Sequence, residues 1–157
     1  MAMFDIEKFI SGLSMDKALD RLGERFLKSL EDETAETFLE AILAFMKIKF
    51  MLDPAYRENI EGFKGRYQFM SRDGGVAVLV EFEDSDMRIR EKATDDVNVT
   101  VSFKDGRALM NFLLSANRDI LRGLLNNEVV VTGNLNYMYK FGFMANHLQL
   151  ELTGNLP

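Results

Sequence analysis

The sequence predicts an α+β fold in which helices gather on one face of a five-stranded, mostly antiparallel sheet and further helices precede it. Three observations predict this class. Up to Gly62, apolar side chains recur at helical spacing. From Phe63 to Phe103 the period changes to two. Beyond Phe103 helical spacing returns, interrupted by the β-branched run 128–132 (EVVVT). A chain of 157 residues is one domain's worth of protein, since a domain takes roughly 100–200 residues.

Residues 4–10 form a short amphipathic piece that ends near Ser11-Gly12. Ser14 is an N-cap, with Asp16 in the first turn answering the helix dipole. The helix that follows carries Leu19, Leu22, Phe26 and Leu30 on one stripe. Asp32 or Thr34 starts a longer one bearing Ala35, Phe38, Leu39, Ile42, Phe45 and Met46. Its second half, AILAFMKIKFML, is apolar around most of its circumference, so it is buried on several sides or meets another chain or a ligand. Asp53-Pro54 supplies a cap followed by proline at the first helical position, and Gly62 stops that turn.

Strands follow over 63–70 and 76–82, joined by a turn at 71–75 that holds two glycines. After a second turn at 83–86, Met87 and Ile89 alternate with Arg88 and Arg90. The fourth strand, 97–103, has the cleanest alternation. Val97, Val99, Val101 and Phe103 face one way, and Asn98, Thr100 and Ser102 the other. Four strands in succession read as sequential, hairpin-like neighbours.

Asp105-Gly106 then opens a helix bearing Leu109, Phe112 and Leu113. Asn117 caps a second with Ile120, Leu121, Leu124 and Leu125. After the fifth strand, Gly133-Asn134 turns into a last helix with Leu135, Met138, Phe141 and Ala145, flanked by Tyr137 and Met144. The tail 147–152 alternates and fits either strand or helix.

Composition removes several classes of function. The chain has 19 basic and 25 acidic side chains, a net charge of −6. That sign argues against a phosphate backbone as partner and against electrostatic attachment to anionic lipid. The acidity lies in residues 1–96, with 14 Lys/Arg against 21 Asp/Glu; residues 97–157 hold 5 against 4. With no cysteine there is no disulfide, thiolate metal site or cysteine nucleophile, and His147, the single histidine, excludes a multi-histidine metal site. Asp5 and Glu7 interrupt the apolar start, unlike a signal peptide, and Lys47 and Lys49 interrupt the longest apolar run. A soluble, cytoplasmic protein is the expectation. Thirteen Phe and ten Met without tryptophan make a soft, adaptable interior.

No motif supports catalysis. Gly62-Phe63-Lys64-Gly65 matches a GxxG nucleic-acid clamp in letters, but strand residues follow where a helix is needed. Glu81, Glu83, Asp84 and Asp86 lack the glycine and glutamate spacing of a calcium loop, and Asp95-Asp96 has no partner ligand set. His147 has no serine in a nucleophile-elbow context, since Ser102 and Ser115 lie in none. The expectation is therefore no enzyme, no catalytic residue, no metal and no cofactor.

Residues 96–103 (DVNVTVSF) resemble the aspartate-led, alternating strand of the sterol carrier protein type-two domain. The pattern continues through helices at 108–114 and 118–125, the strand Val129-Val130-Val131, the Gly133-Asn134 turn and an apolar last helix. Upstream, 65–82 and 87–90 resemble that domain's opening strands. The sequence departs from the family at Ser115-Ala116-Asn117 and Asn126-Asn127, where glycines are common, and at Asn134, where aspartate is. The resemblance implies a lipid-binding domain over residues 51–157, after a helical extension over 1–50. It also implies an apolar tunnel for a lipid-like ligand. Val99, Val101, Phe103, Leu109, Phe112, Leu113, Leu121, Leu124, Leu125, Tyr137, Phe141 and Met144 are its candidate lining, with Tyr137 placed to orient a head group. The alternative is a closed interaction domain that forms a homodimer or docks a partner through the apolar helix 41–52.

Overall fold

The computed structural model describes residues 14–32, 34–114 and 127–153. Helix α1 (Met15–Asp32) starts at Ser14, whose hydroxyl accepts the Lys17 amide. Helix α2 (Ala35–Leu52) is capped by Thr34, which accepts the Thr37 amide at 3.3 Å. Glu36 in its first turn and Lys49 in its last both suit the dipole. Asp53 accepts the Ala55 and Tyr56 amides and so starts α3 (Pro54–Arg57), which tightens into a 3₁₀ turn over Glu58–Ile60. The sheet consists of β1 (Gly65–Ser71), β2 (Ala77–Glu83), β3 (Asp86–Arg90), β4 (Val99–Phe103) and β5 (Val129–Gly133). Helix α4 (Gly106–Leu114) follows β4, with Asp105 accepting the Ala108 amide. Helix α5 (Leu135–Thr153) closes the described chain, started by Asn134, which accepts the Asn136 amide. The expected helices at 4–10 and 118–125 lie outside the described residues.

The strand order is β3-β2-β1-β4-β5. Three of its pairings are antiparallel, as the sequence indicates, but β4 lies parallel to β1 rather than beside β3. The sheet is therefore mixed. The physical reason is a crossover over residues 91–98, pinned from below by Gln68. Tyr67 and Phe69 point into the core, so Gln68 between them points to the opposite face. Its amide nitrogen donates to Lys92 O and Val78 O, both at 3.0 Å, and its oxygen accepts the Thr94 amide at 2.7 Å. Asn98 then joins Arg66 by exchanged hydrogen bonds, which delivers β4 in register beside β1. A polar side chain inside an apolar strand thus decides where the fourth strand goes.

Two further differences concern boundaries. Strand pairing begins at Gly65 and at Val99, two residues later than the alternation indicates. The ambiguous tail 147–152 continues α5, because Leu148 follows Met144 and Ala145 on the buried face.

Buried side chains from Leu22 to Leu148 form one continuous apolar cluster, with the helices on the inner face of the sheet. Helix α2 lies inside it. Phe45 and Phe50, on the helix 41–52 that the alternative reading uses for docking, are only 3% and 2% exposed, so most of its apolar circumference is covered within the chain. At that helix end only Met51 remains exposed. Among the described residues, no helix is long and apolar enough to cross a membrane.

Replacing Gln68 by leucine strands the Lys92 carbonyl and the Thr94 amide, and should cost about 2 kcal/mol in urea unfolding. A loss below about 0.5 kcal/mol would show that the crossover is held by something else.

Candidate functional site

The inner face of β4 presents Val99, Val101 and Phe103, all fully buried, while Thr100 and Ser102 face outward as their alternation requires. Helix α4 lays Leu109, Phe112 and Leu113 over this face, and α5 adds Phe141 and Met144. Tyr137 is half-buried at the start of α5. All of these candidates join the same apolar cluster. Leu121, Leu124 and Leu125 lie outside the described residues.

Two tyrosines hold α5 against the other elements. Tyr67 donates its hydroxyl to the Tyr137 carbonyl at 2.8 Å, and Tyr56 donates to the Met144 carbonyl at 2.9 Å. These carbonyls are two turns apart, on one side of the helix. Burial pushes both phenols above the usual tyrosine range.

The interior divides into two kinds of packing. Between β1, β2 and α5 it is aromatic: Phe141 meets Phe69 at 4.9 Å, Tyr67 at 5.3 Å and Phe82 at 6.5 Å between ring centroids. Tyr67 also meets Phe82 edge-on at 5.7 Å. Around β4 and α4, the buried Phe103 and Phe112 pair with no other ring among the described residues. The sequence reading missed Tyr67, Phe69 and Phe82 as part of this wall. Their signal was present in the period-two spacing, but which strand face meets α5 depends on the parallel β1–β4 pairing.

At the α2–α5 junction, Lys49 is buried yet reaches Asp53 at 3.1 Å and Glu151 at 2.5 Å. Burial pulls the Lys49 ammonium's pKa down, but the two carboxylates outweigh it and leave it above the usual lysine value. Asp53 is desolvated upward, and hydrogen bonds from Lys49 and from the Tyr56 and Ala55 amides bring it below the usual carboxylate value. His147 lies 3.6 Å from Glu151, with its ring against Tyr56. No described group of three or more His, Asp or Glu side chains is arranged to hold a metal.

Concavities are present at the surface. One of about 350 Å³ lies between α1, α2 and α5, with Leu19, Leu27, Phe45 and Leu152 below and Asp20, Glu24 and Glu151 at its edge. Another of about 350 Å³ borders Pro54, Arg57, Glu58, Glu61 and Ser85. A third, about 490 Å³, follows the charged side of α1 from Lys17 to Lys28. None is lined by the candidate residues of β4, α4 and α5.

No protein-family model matches the chain, and no curated protein matches it by sequence. Solved structures do. A UbiJ-SCP2 ubiquinone synthesis protein superposes with a TM-score of 0.55 at 13% identity, over 67% of this chain and 86% of that one. The sterol carrier protein domain 2 of Helicoverpa armigera gives 0.49 at 12% identity, over 80% and 94%. The stereoselective inverting sec-alkylsulfatase Pisa1 from Pseudomonas sp. gives 0.46 at 8% identity, over 90% of this chain and 29% of that enzyme. The first of these carries the assignment: the fold is that of the sterol carrier protein type-two domain.

The ionisable cluster sets a pH dependence. With its folded pKa raised, Lys49 contributes stability that is complete below the ordinary lysine value of 10.5 and is lost as pH rises through the folded value. Tyr56 and Tyr67 act in the same direction, since phenols held neutral by burial ionise freely on unfolding. The melting temperature should therefore fall above about pH 10, and Lys49→Met should flatten part of that fall. A variant whose alkaline profile parallels the parent's would show that the cluster adds nothing.

Proposed function

We propose that the protein binds and carries a hydrophobic small molecule, a fatty acyl or sterol-like lipid, without catalysing a reaction on it. The guest lies against Val99, Val101 and Phe103 of β4, under Leu109, Phe112 and Leu113 of α4. The observation that carries this reading is the character of that wall. It holds no charged side chain, and among the described residues its phenylalanine rings pair with no other ring, unlike the rings gathered around Phe141. The sterol-carrier-type fold supports the same reading.

The energetics are sufficient without a covalent step. Removing about 300 Å² of acyl surface from water gains roughly 7 kcal/mol, and immobilisation takes back part of it. Before that loss, about 7 kcal/mol corresponds to a Kd of roughly 10 μM.

Native mass spectrometry of protein purified without detergent tests this. A nonpolar adduct should be present, be removed by solvent extraction, and be restored by adding fatty acid at micromolar concentration. An extracted protein that takes up neither a fatty acid nor a sterol would contradict the carrier reading.

A further inference from the structure

At the Gly62-Phe63-Lys64-Gly65 stretch a strand begins at Gly65, where a nucleic-acid clamp needs a helix, and the geometry suits another use. Gly62 sits at φ +69°, and nothing lies within 4 Å of where a side chain would begin. Two residues on, the ring of Phe63 folds over Gly65. A Cβ at position 65 would fall 2.7 Å from Cζ of Phe63 and 3.0 Å from Cε2 of Tyr137, so only glycine lets both rings rest on the first residue of β1. Phe63 is half-buried there, 5.5 Å from the Tyr137 ring and 5.8 Å from Phe82 between centroids.

Lys140 lies above this ring. Its ammonium is 4.7 Å from the Phe63 centroid, one helical turn beyond Tyr137. Among the described residues no carboxylate pairs with it, whereas Lys64 on the same stretch is 3.4 Å from Glu83. The location matters as well. Gly65 stands opposite Phe82, and Tyr67 stands opposite Val99, so Phe63 covers the sheet end at which the apolar face of β4 begins.

Resting on the carrier reading above, we propose that residues 62–64 form a flap, hinged at Gly62 and at the start of β1, whose Phe63 ring stoppers this end of the interior, and that Lys140 seats the head group of a guest bearing a carboxylate. Phe63 is held by ring contacts and by one backbone bond, its amide to Ile60 O at 3.2 Å, and it is flanked by glycines. When the ring swings out, Lys140 loses its aromatic partner and meets the anion instead. The hydrocarbon tail then runs past Tyr137 and Val99 toward Val101 and Phe112, a path along β4 of about 13 Å between Val99 and Phe103.

The test uses the extracted full chain with cis-parinaric acid and its corresponding alcohol, followed by fluorescence in equilibrium and stopped-flow titrations. The parent should prefer the acid, and Lys140→Gln should reduce that acid-over-alcohol preference about tenfold. Phe63→Ala should raise the association rate of both compounds severalfold; Phe63→Leu does the same to a smaller degree and serves if the alanine variant unfolds. An unchanged preference in Lys140→Gln, or association rates that ignore position 63, would overturn the flap while leaving the carrier reading intact. A parent protein that binds neither compound would overturn both.

Discussion

The structure depends on one helix that cannot be left wet on any side. Helix α2 carries buried side chains from Phe38 to Phe50 around nearly its whole circumference. Helix α1 covers one side, where Phe26 meets Phe38 at 6.4 Å and Phe45 at 5.9 Å. Tyr56 of α3 stacks on Phe50 at 4.5 Å, and Phe82 of β2 meets it edge-on at 6.1 Å. Lys49 is a buried charge in this helix, and it is tolerated because Glu151 and Asp53 both reach it. Covering α2 therefore also ties the end of α5 into place.

That constraint divides the interior. Helix α2 packs over β3, and interlocked rings fill the space beneath α5. The inner face of β4 and β5 is met by α4, and α5 reaches β4 as well. A guest introduced among the rings would have to separate several aromatic contacts at once, whereas along β4 and α4 Phe103 and Phe112 make no ring pair among the described residues. On the carrier reading proposed above, the aromatic half beneath α5 holds the shape and the half along β4 is the compliant one that receives the lipid.

Much of this was legible in the sequence because it is local. Ser14, Thr34, Asp53 and Asp105 start helices as their side chains indicate, and Val99, Val101 and Phe103 turn inward as their spacing requires. What escaped was non-local. The place of β4 is decided by Gln68, whose hydrogen bonds reach 24 to 26 residues along the chain. The tail 147–152 alternates like a strand, and only the buried face it shares with Met144 and the bond from Lys49 to Glu151 show why it is helical. Of the candidate lining, Val99, Val101, Phe103, Leu109, Phe112, Leu113, Phe141 and Met144 are buried as their spacing indicates, but the gathering of rings around Phe141 emerged only once β1 was seen beside β4.

The most direct test of the compliant half is a crystal structure of the protein with 12-bromododecanoate, read from the anomalous signal of the bromine. The account places that bromine beside Val101, Leu109 and Phe112. A bromine in the cleft lined by Leu19, Phe45 and Leu152, or no ordered bromine in a saturated crystal, would contradict it.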